Sequence, residues 1–228
     1  MQHLSRFALS AITLSVGLLA QTAAQAVSLT EPVSPAPFAD TALGGITSAA
    51  RPELAGTVLE DVITPFNFSG VSGTVQNRVV RETGTGTLDF YWKVNVDPST
   101  SGVGVSAFRL ADFGYSHLKD ADYRTDGLGT TGPDTARLFN PASYPTGDLN
   151  FLFANGVNPG SESRFFFLHT NALSYDRIAR YDMLTTGAQN LSGTFTTFAP
   201  AVPEPASYAL MGAGLLTMGA LLRRRRSN

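Results

Sequence analysis

The sequence predicts an all-β protein, an antiparallel β-sandwich of the jelly-roll or immunoglobulin-like kind, placed between two terminal helices. Short apolar runs are separated by clusters of Gly, Pro, Asn and Asp, which is the spacing of antiparallel strands and turns. The 15 Phe and 7 Tyr residues favour strands over helices. Residues 88–96 alternate strictly between apolar and polar, which predicts a strand with one buried face and one solvated face.

The first element is an apolar segment with the composition of a secretory signal peptide. A weakly positive start is followed by an uncharged run from Phe7 to Ala20 that is too short to span a bilayer comfortably. Small residues then mark a cleavage site at Ala24 and Ala26, so we expect signal peptidase to cut after Ala26. Residues 1–26 are therefore predicted to be a signal helix that directs export.

The body of the chain follows in two parts. Residues 27–50 are rich in Pro, Ser and Ala and are predicted to be a linker or an irregular leading segment. Residues 51–200 are predicted to be the β-sandwich domain. Besides residues 88–96, the apolar runs predict strands at 57–63, 73–81, 103–110, 135–139, 148–154, 164–170 and 192–198. Residues 165–168 are apolar on both faces, which is typical of a central strand.

One stretch of the body, residues 173–184, is predicted to be a short helix. Ile178, Tyr181 and Leu184 fall on one side of such a helix. Asp176 and Arg180 are four residues apart, the spacing of a helical ion pair.

The C-terminal segment has three parts in a fixed order. Residues 202–205 read Val-Pro-Glu-Pro, and the two prolines keep this stretch extended. Residues 206–222 carry no charge and, as a transmembrane helix, measure about 25 Å, slightly less than a bilayer core. The arginines that follow compensate for the short helix and favour an orientation in which the folded body faces outward. They are Arg223, Arg224, Arg225 and Arg226.

This order resembles the PEP-CTERM signal of Gram-negative envelope proteins, and residues 201–228 are predicted to be that sorting signal. Pro203, Glu204 and Pro205 match the family's recognition motif. The resemblance implies that exosortase, a membrane-embedded cysteine transpeptidase, recognises and removes the signal while residues 206–222 hold the chain in the inner membrane. It also implies delivery to the cell surface or the extracellular polysaccharide matrix. A permanent anchor is the alternative, which accounts for the helix and arginines but not for the Pro-Glu-Pro.

Composition excludes several classes of function. The chain has no Cys, which rules out disulfides, zinc–thiolate sites, thiol nucleophiles and iron–sulfur clusters. Residues 27–202 contain 11 basic and 17 acidic residues, a net charge of −6, whereas a nucleic-acid-binding face is basic. No nucleophile elbow, H-E-x-x-H helix or phosphate-binding glycine loop is present. We therefore predict no catalytic residues, and we interpret His117 and His169 as structural histidines.

An acidic loop is the candidate metal site. Asp120, Asp122 and Asp126, followed by Gly127, supply oxygens beside a residue that permits a sharp bend, as Ca²⁺ requires. Arg124 stands where an EF-hand has its third ligand, so a solvated acidic turn is the alternative.

An aromatic residue is the candidate carbohydrate contact. Tyr91 falls on the polar face of its predicted strand and is the candidate to stack on a sugar ring, with ordinary packing in the sandwich as the alternative. Trp92 falls on the apolar face and is expected in the core.

Together these features predict a non-enzymatic surface or matrix protein, sorted by exosortase and associated with exopolysaccharide or biofilm. One alternative is a carbohydrate-binding module for exopolysaccharide, which predicts an exposed aromatic patch. The other is an exported hydrolase, which requires converging carboxylates or a histidine dyad near His117 and residues 120–126.

Overall fold

The fold consists of two antiparallel sheets packed face to face. The structure, a computed structural model, describes residues 26–100, 103–146 and 148–202. In these ranges the strands are β1 (Val27–Ser28), β2 (Phe38–Ala42), β3 (Thr57–Phe68), β4 (Val71–Arg81), β5 (Leu88–Val96), β6 (Val105–Ala111), β7 (Asp120–Tyr123), β8 (Thr135–Phe139), β9 (Leu149–Val157), β10 (Phe166–His169), β11 (Tyr175–Thr185) and β12 (Phe195–Pro200). Two single 3-10 turns lie at Pro52–Ala55 and Tyr115–His117.

The order of the strands differs from their order along the chain. The first sheet has the order β1-β7-β10-β5-β4-β3, and the second has the order β12-β11-β6-β9-β8-β2. The predicted all-β architecture with two antiparallel sheets is therefore confirmed. The predicted signal and transmembrane helices lie outside the described residues. Within the described ranges, no helix is long and apolar enough to cross a membrane.

The main core fills the space between the sheets. The inward positions of β5, among them Phe90, Trp92 and Val94, are fully buried against aromatic side chains of both sheets. Trp92 stacks on Phe166 of β10 with 6.2 Å between ring centroids. The prediction that Trp92 belongs to the core is confirmed, and β10 is central, as its apolar character predicted.

The predicted helix at residues 173–184 is wrong, because this stretch forms β11. Ala179, Tyr181 and Met183 are buried while the residues between them are more exposed, which is a period of two. β11 pairs with β12 on one side and β6 on the other. Hydrogen bonds to two neighbouring strands override a weak helical pattern of side chains.

The leading segment, residues 27–50, contributes a strand to each sheet. β1 pairs with β7 at the edge of the first sheet, and β2 pairs with β8 at the edge of the second. The segment suggested by composition as a linker or an irregular stretch therefore takes part in the sandwich.

Candidate functional site

The outer face of the first sheet is covered by residues 44–56, named here the cover segment. Its Ile46 and Leu54 pack with Val80, Tyr91 and Phe167 in a second, smaller hydrophobic core. This packing buries β5 on both faces. The prediction that β5 has one solvated face is therefore wrong, because alternation separates two faces without showing what covers each of them.

Hydrogen bonds to β7 and the residues after it hold the cover segment in place. The backbone N–H of Ile46 donates to the carbonyl of Tyr123 at 2.8 Å. Arg124 donates from Nη1 to the carbonyl of Leu54 at 3.0 Å. The Asp126 carboxylate accepts from the backbone N–H and hydroxyl of Ser48 at 2.7 and 2.6 Å.

Three ionisable side chains meet on this outer face, and we name Glu82, Asp89 and His169 the buried triad. His169 Nδ1 lies 2.9 Å from Glu82 Oε1 and 2.9 Å from Asp89 Oδ1. The two carboxylate side chains are 0% exposed and the imidazole is 22% exposed. Their nearest ligand atoms all lie within 4.8 Å of one another, and they form the one such group of three among the described residues.

Strand register explains why these three residues meet. Asp89 on β5 lies directly opposite His169 on β10. Glu82 follows the last residue of β4, and its backbone N–H bonds the carbonyl of Thr87 at 2.9 Å to close the β4–β5 turn. This turn places Glu82 beside Asp89 on the outer face of the sheet.

The second oxygen of each carboxylate is held by a neighbour. Glu82 Oε2 accepts from the hydroxyls of Thr85 at 2.6 Å and Thr87 at 2.9 Å. The Tyr91 hydroxyl lies 3.4 Å from Asp89 Oδ2, a long hydrogen bond. These contacts turn Glu82 Oε1 and Asp89 Oδ1 towards the imidazole.

His169 Nδ1 carries one hydrogen but lies next to two carboxylate acceptors, so it can donate a well-aligned hydrogen bond to only one of them. The hydrogen bond from Nδ1 goes to Asp89 Oδ1. Glu82 Oε1 lies equally close but is left buried without a hydrogen-bond donor. Arg51 Nη2 lies 3.5 Å from this oxygen and contributes positive charge from the cover segment.

The pKa values within the triad move in opposite directions. Burial by itself favours the neutral acid, but the His169 imidazole beside Oε1 and the threonine hydroxyls bonded to Oε2 lower the pKa of Glu82 to about 2. Burial, aided by the nearby Glu82 charge, raises the pKa of Asp89 to about 6 despite the His169 hydrogen bond. Burial opposes a charged imidazole, yet the Asp89 hydrogen bond and the adjacent Glu82 carboxylate raise the pKa of His169 to about 9. Protonated His169 and Arg51 thus balance two buried negative charges.

The predicted calcium ligands do not converge. Asp120 bonds the Ser28 hydroxyl at 2.9 Å, and Asp122 accepts backbone N–H groups of Gly45 and Tyr123 at 2.8 and 2.9 Å. Asp126 instead forms a two-pronged ion pair with Arg124 at 2.7 and 3.0 Å. The first two aspartates belong to β7 and not to a turn, so they point into strand and cover-segment contacts.

Tyr91 is also placed differently from its prediction. It is 3% exposed, and its ring lies 5.0 Å from that of Phe167 beneath the cover segment. The burial comes from a segment some forty positions earlier in the chain, which strand alternation does not show. His117, the other predicted structural histidine, lies with Nδ1 3.4 Å from Asn171 Oδ1.

Sequence reasoning did not single out the buried triad as a site. Its members come from three separate stretches of sequence, so no local spacing identifies them. The available signal is weak: Asp89 and His169 each sit at a polar position of an otherwise apolar strand.

A separate open cleft of about 400 Å³ lies against the second sheet. Arg109 pairs there with both oxygens of Asp182 at 2.5 and 2.8 Å. Tyr144, 40% exposed, lines the cleft together with Asn150 and Asp148. Burial, with help from nearby carboxylates, raises the pKa of Asp148.

The predicted sorting residues lie outside the described part of the chain, as do Ala24 and the four terminal arginines; the predicted cleavage residue Ala26 lies just ahead of β1. Residues 201–226 match the family model described as the PEP-CTERM protein-sorting motif. No curated protein matches the chain. No solved structure matches it either.

Proposed function

Because residues 201–226 carry a PEP-CTERM protein-sorting motif, we propose that this chain is an exported, exosortase-processed protein of the cell surface or extracellular matrix. Signal peptidase removes residues 1–26, and exosortase then acts at the segment containing Pro203, Glu204 and Pro205. The displayed β-sandwich acts without catalysing a reaction and contributes to exopolysaccharide or biofilm structure.

The position of the motif is the observation that carries this proposal. β12 ends at Pro200 and the matching segment begins at residue 201. An extended chain spans at most about 3.6 Å per residue, so Pro203 lies within about 11 Å of the end of the sandwich. The folded domain is therefore held close to the bilayer during processing, with the motif presented at the domain boundary.

Expression with and without the native exosortase tests the proposal. Mass spectrometry of the mature C-terminus is expected to show loss of Arg223–Arg226 only when exosortase is present. A Glu204→Ala variant is expected to keep its arginines, while a Glu162→Ala variant in the domain is processed normally. Retention of the arginines in both strains means that the segment is an anchor, and the proposal then fails.

Association with exopolysaccharide is tested in cells. Deleting the gene is expected to reduce aggregation and the amount of matrix polysaccharide, and the wild-type gene is expected to restore both. Unchanged aggregation and matrix composition contradict this role.

Carbohydrate binding is the second candidate function, and the cleft on the second sheet favours it. The cleft combines an exposed tyrosine with an arginine, an amide and carboxylates, which is the mixture that binds a sugar ring by stacking and hydrogen bonds. Co-sedimentation with the host's exopolysaccharide tests it. Tyr144→Ala is expected to weaken binding by about tenfold, and Tyr144→Phe to weaken it less. Equal binding by the wild type and both variants excludes the cleft as the carbohydrate-binding site.

A further inference from the structure

We propose that Glu82, Asp89 and His169 bind a divalent first-row transition cation, with Zn²⁺ as the best match. The bound ion stabilises the β-sandwich by cross-linking its strands. This site belongs to the folded domain and is independent of how the chain is sorted.

The geometry of the three ligand atoms is close to that of a metal site. Zn²⁺ bonds to nitrogen and carboxylate oxygen measure about 2.0–2.2 Å, so neighbouring ligands in a tetrahedron lie about 3.3–3.5 Å apart. His169 Nδ1 already lies 2.9 Å from one oxygen of each carboxylate. The three ligand atoms lie within 4.8 Å of one another. In the metal-bound form, side-chain rotations bring each separation to about 3.4 Å, and a water molecule completes the four ligands.

A buried carboxylate oxygen without a hydrogen-bond donor points to a further cation. Glu82 Oε1 has no hydrogen-bond donor although it is aimed at the same point as Asp89 Oδ1. Its lost hydration is replaced incompletely, by an imidazole whose hydrogen goes to Asp89 and by Arg51 Nη2 at 3.5 Å, which is costly for a charged oxygen. A cation bonded to both oxygens and to Nδ1 gives Glu82 Oε1 the partner it lacks, since three direct bonds replace one hydrogen.

The neighbours of the triad supply the outer contacts that orient metal ligands. Thr85 and Thr87 hold Glu82 Oε2, and Tyr91 lies against Asp89 Oδ2. Each carboxylate is thus left with one oxygen for the metal. Ligating side chains in metal sites are oriented in this way by hydrogen bonds from residues behind them.

The donor set selects the kind of ion. One imidazole nitrogen and two carboxylate oxygens suit Zn²⁺ and its transition-metal neighbours, whereas Ca²⁺ takes six to eight oxygens. The imidazole is 22% exposed, so the site borders solvent on the His169 side. A bound ion ties the β4–β5 turn to β10 in a chain that has no Cys for a disulfide.

The direct test measures metal content and stability of the full chain purified in detergent. After treatment with a chelator and dialysis, we expect the protein to take up one Zn²⁺ per chain and to melt about 5–10 °C higher at saturating Zn²⁺. Ca²⁺ at the same concentration is expected to leave the melting temperature unchanged. Absence of stoichiometric Zn²⁺ uptake overturns the proposal.

Matched variants locate the ion. Glu82→Gln and His169→Gln are each expected to weaken Zn²⁺ binding at least about 100-fold. His117→Gln removes a different histidine and is expected to bind like the wild type. If His117→Gln abolishes binding, or His169→Gln leaves it intact, the site is elsewhere and the proposal is wrong.

A measurement on the otherwise intact protein decides the matter if the triad variants do not fold. ¹⁵N spectra of the histidine side chains are expected to show a metal-induced shift of one Nδ1 resonance that persists in the His117→Gln protein. A shift that is lost in the His117→Gln protein, or no histidine shift at all during Zn²⁺ uptake, contradicts the assignment.

Discussion

Asp126 shows how one residue fastens the cover segment to the rest of the domain. Its carboxylate accepts two hydrogen bonds from Arg124 and two from Ser48 of the cover segment. Hydrogen bonding by Arg124 is the main cause that keeps the pKa of Asp126 below its usual range. An aspartate predicted as a calcium ligand therefore forms a structural ion pair with Arg124.

The lowered pKa of Asp126 predicts a dependence of stability on pH. The ionised carboxylate is the bonded form, so its contribution is present above about pH 4 and is lost as pH falls through the folded-state pKa. Asp126→Asn is expected to lower the free energy of unfolding at pH 7 by less than about 1 kcal/mol, because the pair is partly solvated. The difference between wild type and variant is expected to shrink as pH falls from 5 towards 2.

Thermal melts across this pH range measure the effect. Asp176→Asn, which removes an exposed carboxylate elsewhere, is the control and is expected to give a smaller difference. A difference for Asp126→Asn that grows on acidification contradicts the prediction.

β11 shows how an element is decided by its neighbours. Its sequence has apolar residues at positions compatible with both a helix and a strand, and Leu184 belongs to the apolar side in the helical interpretation alone. In the structure Met183 is fully buried while Leu184 is half-buried. Pairing with both β6 and β12 satisfies the backbone groups of the segment and selects the strand.

Two truncations of similar size test this assignment. Met183→Ala is expected to lower the free energy of unfolding by about 2–5 kcal/mol, because it leaves a cavity in the core. Leu184→Ala is expected to cost clearly less, since its side chain is partly solvated. Urea unfolding of both variants measures the difference, and a larger loss for Leu184→Ala favours the helix.

The whole molecule is held together by a mixed core that joins the two sheets. Besides apolar packing, Trp92 donates from Nε1 to Thr197 Oγ1 at 2.8 Å, and Thr197 donates to Asn77 Oδ1 at 3.0 Å. This buried series of hydrogen bonds connects β5 and β4 of the first sheet with β12 of the second. It fixes how the sheets face each other, because each polar group depends on the next one.

Loss of the hydrogen bonds made by Thr197 is expected to destabilise the entire sandwich. Thr197→Val keeps the shape but leaves the indole N–H and the Asn77 amide oxygen without partners, at an expected cost of about 1–3 kcal/mol in the free energy of unfolding. Thr196→Val alters the exposed neighbour and is the control. Urea unfolding followed by Trp92 fluorescence measures both, and equal stabilities contradict the proposed link.

Prediction from sequence succeeded for strands and turns that depend on the pattern of neighbouring residues. The alternation in β5, the turn residues on either side and the apolar character of β10 are local, and they predicted strands that the structure contains. β7 was missed because it is short and acidic, and its pairing with β1 and β10 is not visible in its own residues.

The sequence by itself determined the all-β class and the presence of the sorting motif, since both depend on the order and spacing of neighbouring residues. Only the tertiary structure decided that the cover segment buries Tyr91 and that Glu82, Asp89 and His169 meet. The physical reason is register: the position of a side chain opposite another depends on which strands pair. That pairing is selected by the packing of the whole core.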